Sequence, residues 1–331
     1  MLNARRRLLL AGLAAAVSPT IRAESTGRPD LDTMLAGSNG ASDVIDLWSQ
    51  GVPGKPKTMP HEIVVERSTD RQINDRHIAG ISRPRILLFR PSAPNGASIL
   101  IAPGGGYRWV VIDREGIEMA RWFAERGVTA FVLFYRLPGD GWAAGPNVAL
   151  ADAQRAMRLI RHRAAQWGLD AKRVAAMGFS AGGHLCADLI ARHATRIETT
   201  VDGIDELSAK PFLGAPIYPV VTMSAPYAHA GSREQLIGKL ASNELESAHS
   251  PHRHISREVC PVFLLHAEDD ASVPVENTLL LRAALREKGV SVETHLFKEG
   301  GHGFGLRKAA GKPVEAWSDL LLAWARSHGW F

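Results

Sequence analysis

The chain has 331 residues, of which 45% are apolar and 22% charged, so it is long enough to bury a large core in one or two domains. Its formal charge of +5 falls to +1 when the four arginines of residues 1–23 are left out, which gives no indication of a nucleic-acid partner. The only two cysteines, Cys186 and Cys260, exclude a disulfide framework, and we expect two buried free thiols, with a single bridge as the alternative.

Residues 1–23 have the outline of a signal peptide. Arg5, Arg6 and Arg7 precede an apolar run at residues 8–17, and Ala23 is a small residue suited to cleavage. This run is shorter than the roughly 20 residues of a membrane-spanning helix, and no later segment approaches that length. We therefore expect an exported protein, periplasmic or secreted, with no membrane span in its mature form. The paired arginines are compatible with either the twin-arginine or the Sec route.

Two regions of different composition follow. Residues 24–60 are rich in Gly, Pro, Ser and Thr, which predicts an irregular lead-in. In residues 61–331, short β-branched or aromatic runs alternate with helical patterns, which predicts one α/β domain with a mostly parallel eight-stranded sheet flanked by helices. The predicted strands are 62–66, 86–90, 98–102, 130–135, 174–178, 212–218, 262–267 and 292–297. The predicted helices are 116–126, 148–167, 181–193, 275–288 and 314–327.

Residues 221–258 interrupt this alternation. The segment is polar, lacks a clear period and contains four histidines. We predict a short, irregular insertion over one end of the sheet, where insertions often shape a substrate pocket.

The motif Gly178-Phe179-Ser180-Ala181-Gly182 lies between a predicted strand and a predicted helix. In this context the pattern predicts a nucleophilic serine on a sharp turn, because side chains two positions to either side would clash with the neighbouring backbone. A helix start with Ser180 as its capping residue is the alternative. That alternative does not explain the small residues on both sides.

A serine hydroxyl needs a base, and the base needs a carboxylate that orients it. Asp269 and Asp270 follow the predicted strand 262–267, and His302 follows the strand 292–297 with a glycine on each side. This order of serine, acid and histidine predicts a catalytic triad of Ser180, Asp270 and His302. Asp270 is preferred because Pro274 stiffens its turn, and Asp269 is the second choice.

Backbone N–H groups must stabilise the negative oxygen that forms when a serine attacks a carbonyl group. The amide of Ala181 is one predicted donor, and the glycine-rich loop after strand 98–102 supplies the other, with Gly105 preferred and Gly106 beside it. A phosphate-binding loop is excluded because no Gly-Lys-Ser/Thr follows. Tyr107 and Trp109 are predicted to line the entrance and bind substrate.

Together these motifs resemble bacterial exported α/β-hydrolases of the acetylxylan esterase group and related esterase/lipase-like carbohydrate esterases. The resemblance covers about residues 42–331. It rests on Ala102-Pro103-Gly104-Gly105-Gly106-Tyr107, Asp113-Arg114-Glu115-Gly116, Tyr135-Arg136-Leu137-Pro138, Gly178-Phe179-Ser180-Ala181-Gly182-Gly183-His184, residues 266–277 and Gly300-Gly301-His302-Gly303-Phe304-Gly305.

The resemblance implies an α/β-hydrolase fold with the same three triad residues and an insertion over the active site. It implies a serine esterase that removes short acyl groups, with acetyl expected, from small-molecule or oligosaccharide esters such as those of xylan. Such chemistry requires no metal and no organic cofactor. The alternatives are a general carboxylesterase, a prolyl-peptidase-like hydrolase, for which the chain lacks the length of an added propeller, and a non-catalytic binding protein, against which the complete triad argues.

Overall fold

The computed structural model describes residues 40–198 and 200–331, so the predicted signal peptide lies outside the described residues. Eleven strands occur in these ranges. They are β1 (Asp43–Asp46), β2 (Ile63–Glu66), β3 (Arg76–Ala79), β4 (Arg85–Phe89), β5 (Ser98–Ala102), β6 (Val110–Val111), β7 (Thr129–Phe134), β8 (Val174–Phe179), β9 (Gly214–Ile217), β10 (Val262–Ala267) and β11 (Val292–Phe297).

Eight of these strands form the central sheet, in the order β1-β4-β7-β5-β8-β9-β10-β11. The pairs β1–β4 and β4–β7 are antiparallel, and every pair from β7 to β11 is parallel. All residues of β4, β5, β7, β8, β9 and β10 are buried, as expected for strands that are covered on both faces. The predicted fold class is confirmed.

Helices cover this sheet. They are α1 (Glu118–Ala124), α2 (Val148–His162), α3 (Ala164–Trp167), α4 (Ala181–Arg192), α5 (Ala230–Ile237), α6 (Asn243–Ala248), α7 (Glu276–Glu287) and α8 (Trp317–Ser327). A π-helical turn, Asp113–Ile117, leads into α1, and single 3-10 turns lie at Pro138–Asp140, Gly145–Asn147, Gly203–Glu206, Pro251–His254 and Pro313–Ala316. Within the described ranges, no helix combines the length and the apolar character needed to cross a bilayer.

The structure differs from the prediction at the start of the domain. Residues 43–46, predicted to be irregular, form β1 and pair with β4 at the edge of the central sheet, where Ile45 is buried in the core. The predicted strand 62–66 forms as β2, but it belongs to a separate three-stranded sheet with β3 and β6. Its apolar side chains at Ile63 and Val65 are exposed, which is incompatible with a place inside the central sheet.

The insertion at residues 221–258 is more regular than predicted. It contains α5 and α6, which begin at side-chain caps: His229 accepts a hydrogen bond from the backbone N–H of Ser232, and Ser242 accepts one from that of Leu245. Residues at the start of α5 lie beside Ser180 in the wall of one pocket, so the insertion does lie over the end of the sheet where Ser180 is found.

Candidate active site

Ser180 lies on a sharp turn between β8 and α4. Its backbone has φ 54° and ψ −117°, a conformation that is strained for a residue with a side chain. The flanking glycines allow this turn, because a Cβ atom at Gly178 would lie 1.9 Å from the carbonyl oxygen of Gly182. A Cβ atom at Gly182 would lie 2.1 Å from the carbonyl oxygen of Ala102 on β5. The turn therefore holds the Ser180 hydroxyl at the carboxyl edge of the sheet.

Ser180, His302 and Asp270 form a continuous hydrogen-bonded chain. Nδ1 of His302 lies 2.6 Å from Oδ2 of Asp270, and Nε2 lies 2.8 Å from Oγ of Ser180. An ionised carboxylate can only accept, so Nδ1 of His302 carries the proton. In the neutral imidazole Nε2 is then an acceptor for the Ser180 O–H. His302 lies 122 positions after Ser180 and 32 positions after Asp270 in the sequence, and the sheet brings the three residues together.

Four donors surround Asp270. Oδ1 accepts from the backbone N–H groups of Ser272 and Val273, both at 2.9 Å. Oδ2 accepts from His302 and lies 3.2 Å from Nε2 of His266. Burial by itself raises the pKa of Asp270, but the hydrogen bonds from His266 and His302 outweigh burial and hold that pKa far below its ordinary value. Asp270 is therefore a firmly ionised acceptor for the imidazole.

Asp269 has a different position from Asp270. Its Oδ1 accepts hydrogen bonds from the backbone N–H groups of Gly300 at 2.9 Å and Gly301 at 2.8 Å. These glycines directly precede His302, so Asp269 anchors the loop that carries the imidazole. The structure thus places Asp270, and not Asp269, against His302.

The glycine-rich loop after β5 lies next to Ser180. A Cβ atom at Gly104 would lie 3.0 Å from that of Ser180, and one at Gly105 would lie 2.1 Å from the carbonyl oxygen of Trp109. Gly105 and Gly106 have φ angles of 134° and 65°, which favour glycine. Within the described residues their N–H groups have no protein acceptor. These donors are available to a ligand at Ser180.

Glu115 is a buried carboxylate, 3% exposed, that links this loop to the His302 loop. Its Oε2 accepts from the backbone N–H of Gly104 at 2.8 Å, and its Oε1 accepts from the hydroxyl of Tyr218 at 3.1 Å. The Tyr218 hydroxyl in turn accepts from the backbone N–H of Gly305 at 3.2 Å, and its ring packs edge-on against that of His302. Glu115 thus fixes the two loops relative to each other.

A pocket of about 410 Å³ opens at Ser180, a size typical of small-molecule sites. Trp109 lies in its wall with its ring stacked on that of His77, 4.5 Å between centroids. The other lining residues are Arg67, Gly105, Gly106, Arg108, Val111, Arg114, Glu115, Ser180, His229, Gly231, Glu234, Gln235, Ser272, His302 and Gly303. The wall is rich in hydrogen-bonding groups.

Tyr107 does not line this pocket, so the expectation that it binds substrate at the entrance is wrong. Its side chain is 1% exposed, and its hydroxyl lies 2.6 Å from Nδ1 of His184 on α4. The other nitrogen of His184 faces the carbonyl oxygen of His249, so Nδ1 is the acceptor and Tyr107 the donor. Tyr107 therefore has a structural role: its buried ring packs in the core, and its hydrogen-bonded hydroxyl connects the glycine-rich loop to the helix that follows Ser180.

His229 is a pocket residue supplied by the insertion. Its Nδ1 accepts from the backbone N–H of Ser232 at 3.1 Å and lies 2.8 Å from the Ser232 hydroxyl. The neutral ring therefore carries its proton on Nε2, which is left as a donor for a bound molecule. Burial, followed by the charge of His302, lowers the pKa of His229 and favours this neutral form.

Sequence reasoning missed Glu115, His266 and His229 as site residues. Glu115 belongs to the Asp113-Arg114-Glu115-Gly116 motif, which contributes to the family resemblance, but the sequence alone does not assign a function to its residues. His266 was visible as a histidine inside a buried apolar strand. His229 had no local signal beyond its position in the insertion. Within the described part of the chain, no group of three or more His, Cys, Asp or Glu side chains is placed to bind a metal ion.

Comparisons with known proteins identify relatives of this chain. A family model described as BD-FAE matches residues 97–285, which is more than half of the chain. The chain is 35% identical over 205 residues to the endo-1,4-beta-xylanase B of Butyrivibrio fibrisolvens, covering 62% of this chain and 32% of that protein. It is 28% identical over 228 residues to the acetylxylan esterase of Xylanibacter ruminicola, covering 67% of this chain and 44% of that protein. The chain therefore spans less than half the length of these two relatives.

A solved structure is similar over most of the fold. The acetyl ester-xyloside bifunctional hydrolase from Caldicellulosiruptor lactoaceticus is 30% identical, with a TM-score of 0.73, and the match covers 89% of this chain and 100% of that one. The family match and this likeness show that the chain belongs to the BD-FAE family and is an α/β-hydrolase resembling acetylxylan esterases.

Proposed function

We propose that the chain is a serine esterase that hydrolyses short acyl esters of carbohydrate, with acetyl as the acyl group and xylan as the type of polymer. The hydrogen-bonded chain from Ser180 through His302 to Asp270, at the base of an open pocket, carries this proposal. The names of two similar proteins, an acetylxylan esterase and an acetyl ester-xyloside hydrolase, support the acyl group and the sugar.

The reaction has two halves. The Ser180 oxygen attacks the ester carbonyl carbon while Nε2 of His302 takes the hydroxyl proton, and Asp270 stabilises the imidazolium that results. The tetrahedral intermediate then expels the sugar alcohol, which receives that proton from His302 and leaves an acyl-serine. A water molecule attacks the acyl group with His302 again as the base, and the carboxylic acid is released from Ser180.

The negative oxygen of each tetrahedral intermediate requires donors that are already in position. We assign this role to the backbone N–H groups of Ala181, directly after the nucleophile, and of Gly105 or Gly106 on the neighbouring loop. Support comes from the contact between that loop and Ser180 and from the N–H groups of Gly105 and Gly106, which lack acceptors among the described residues. Donors of this kind contribute about 3 to 4 kcal/mol each to transition-state stabilisation.

The pocket wall suits an alcohol with several hydroxyl groups better than a long acyl chain. Trp109 supplies a flat aromatic surface against which the apolar face of a sugar ring can pack. His229, Gln235 and Glu234, which the insertion contributes to the wall, can pair with sugar hydroxyl groups. This combination of one aromatic face and several polar partners favours a carbohydrate over a lipid alcohol.

The decisive test combines labelling with substrate comparison. We expect a fluorophosphonate probe to label the protein at Ser180, and the protein to hydrolyse p-nitrophenyl acetate and release acetate from acetylated xylan. Ser180→Ala is the matched control and should lose labelling and both activities while keeping its fold. Hydrolysis of p-nitrophenyl acetate without acetate release from xylan would leave the general carboxylesterase alternative. Cleavage of a prolyl-anilide peptide would favour the peptidase, and failure of every assay would favour a binding protein.

We also propose that the protein is exported, on the basis of residues 1–23 alone. Amino-terminal sequencing of the protein recovered from a bacterial periplasm or culture medium should then begin near residue 24. Recovery of the full-length chain from the cytoplasm of a host competent for both export routes would contradict this proposal.

A further inference from the structure

Arg114 is a buried arginine in the pocket wall whose hydrogen-bond donors are mostly unused. The residue is 8% exposed, and among the described residues its one hydrogen bond to a side chain runs from Nη1 to Oδ2 of Asp75 at a long 3.3 Å. Its Nε is buried and has no acceptor among the described residues. A guanidinium has five N–H donors, and buried donors are normally paired. Arg114 is therefore incompletely satisfied by the protein itself.

The guanidinium lies close to the reacting groups. A Cβ atom at Gly303, the residue after His302, would lie 3.5 Å from Nη2 of Arg114. Arg114 and Gly303 line the same pocket as Ser180. A molecule held by Arg114 would therefore lie beside the ester bond that Ser180 is proposed to attack.

Arg114 belongs to a group of three arginines that share their carboxylate partners. Asp75 is shared among Arg67 at 2.9 Å, Arg114 at 3.3 Å and Arg307 at 3.6 Å. Arg307 also lies 3.3 Å from Glu118, so these three arginines have two carboxylates between them.

Lys308 adds a fourth cation to this group. Burial lowers its pKa, and the charges of Arg114, Arg67 and Arg307 lower it further. Three carboxylates lie among these four cations: Asp75, Glu118 and Glu115, whose Oε1 would lie 3.5 Å from the same Cβ position at Gly303 as Nη2 of Arg114. This group therefore has one positive charge in excess, which is available to an anion.

A second cation stands at the pocket mouth. Arg108 is exposed, lies above the Trp109 ring and has no carboxylate partner in the part of the chain that the structure describes. Two carboxylates belong to the same described wall, but Glu115 has both oxygens occupied by protein donors and Glu234 lies on the exposed insertion side. Neither is paired with Arg114 or Arg108.

We infer that the pocket contains a carboxylate-binding subsite formed by Arg114, with Arg67 and Arg108 toward the mouth. The preferred substrates are esters that carry a carboxylate close to the scissile bond. This inference rests on the proposed esterase function and narrows its substrate class. A guanidinium pairs with a carboxylate through two parallel hydrogen bonds, which gives both affinity and orientation.

The carboxylate can belong to the alcohol, as in an acetylated uronic acid, or to the acyl group, as in a dicarboxylic half-ester. One substrate pair for each source distinguishes them. For the alcohol, acetate release from a mono-O-acetyl methyl glucuronoside is compared with that from its neutral uronamide. For the acyl group, p-nitrophenyl hydrogen glutarate is compared with p-nitrophenyl valerate.

We expect kcat/KM of the wild-type protein to be about 10- to 100-fold higher for the charged member of one pair, the range of a charged hydrogen bond. Arg114→Gln should remove most of this preference, Arg114→Lys should keep part of it, and Arg67→Gln should reduce it. Arg90→Gln is the matched control, because exposed Arg90 follows β4, which runs antiparallel to β7 and ends at the opposite edge of the sheet. It should leave the ratio unchanged.

Ligand binding to an inactive variant tests the carboxylate subsite independently of esterase activity. Isothermal titration of the Ser180→Ala protein should show at least tenfold tighter binding of methyl glucuronoside than of methyl glucoside, or the same difference between monomethyl glutarate and methyl valerate. This result would support the subsite even if the wild-type protein were inactive toward p-nitrophenyl acetate. Equal kcat/KM within both pairs, together with equal binding of charged and neutral ligands, would overturn the subsite while leaving the esterase function intact.

Discussion

Nε2 of His266 lies 3.2 Å from Oδ2 of Asp270, the same oxygen that faces Nδ1 of His302. Nε2 also lies 3.0 Å from the carbonyl oxygen of Val273, and both of these neighbours can only accept. Nδ1 lies 2.7 Å from the hydroxyl of Thr278, so both ring nitrogens are bonded within the protein. His266 thus donates from Nε2 and helps His302 to hold the Asp270 carboxylate in place.

We predict that His266→Leu lowers kcat about tenfold with little change in KM, because Asp270 loses one donor but keeps its place. Removal of that donor raises the pKa of Asp270 and makes Asp270 a stronger acceptor for Nδ1 of His302. The Asp270–His302 pair should then hold its proton more tightly, so the decline of kcat on the acid side should begin at a higher pH than in the wild type. His266→Gln retains an amide donor and should recover part of the rate. A variant that loses activity equally at all pH values would show that His266 only packs.

Substitution of Asp270 and of its neighbour Asp269 should affect kcat very differently. Asp270→Asn should lower kcat about 10³- to 10⁴-fold, since an amide cannot support the imidazolium or select the correct tautomer of His302. Asp269→Asn keeps a carbonyl oxygen for the N–H groups of Gly300 and Gly301, so its kcat should remain within about threefold of the wild type. The reverse order of effects in p-nitrophenyl acetate hydrolysis would assign the triad to Asp269.

Strong local patterns explain why much of this arrangement could be predicted from the sequence. The strands 98–102, 262–267 and 292–297 have the predicted bounds, because each of them ends before a proline or a charged residue. The turn at Ser180 could also be predicted, since Gly178 and Gly182 are each required by a backbone contact within the motif or with the adjacent strand.

The elements that were missed depend on distant partners. β1 has four residues and is a strand because β4 pairs with it, 39 to 45 positions later in the chain. Tyr107 follows a turn, as a pocket residue would, and only the fold shows that His184 lies within reach of its hydroxyl. Glu115 likewise acquires its position from Gly104 and Tyr218, and the second of these contacts spans 103 residues.

Adjacent glycines of the loop after β5 should respond differently to alanine. Gly105→Ala places a Cβ atom 2.1 Å from the carbonyl oxygen of Trp109 at a φ of 134°, so the loop must shift and its N–H groups must move away from Ser180. We expect kcat to fall about 100-fold. Gly106→Ala meets only the Ser232 hydroxyl, at 3.9 Å, and keeps its N–H.

Gly106→Ala therefore serves as the matched control. It should lose about 1 kcal/mol of unfolding free energy because its φ is positive, and its kcat should stay within about fivefold of the wild type. Chemical denaturation and steady-state kinetics on the two variants check both expectations. Similar kcat values in Gly105→Ala and the wild type would exclude a stabilising role for this loop geometry.

We expect His249 to lower the stability of the folded protein in acid. This residue is buried, and its Nδ1 has no hydrogen-bond partner within the described residues. Burial, followed by the nearby charge of Arg192 against the opposing effect of Asp188, lowers the pKa of His249 to about 4 in the folded protein. The unfolded chain has an ordinary histidine pKa near 6.5 and therefore binds more protons between these two values. The free energy of unfolding should fall as the pH decreases from about 6.5 to about 4.

His249→Gln removes this titration while leaving the backbone carbonyl that accepts from Nε2 of His184. Urea denaturation at pH 7 and at pH 4.5 should show a smaller loss of unfolding free energy in this variant, by at most about 3 kcal/mol. His61→Gln is the control, since His61 is exposed and lies on another surface segment. Because proton linkage depends only on the difference between folded and unfolded states, identical losses in His249→Gln and the wild type would mean that folding does not lower the pKa of His249.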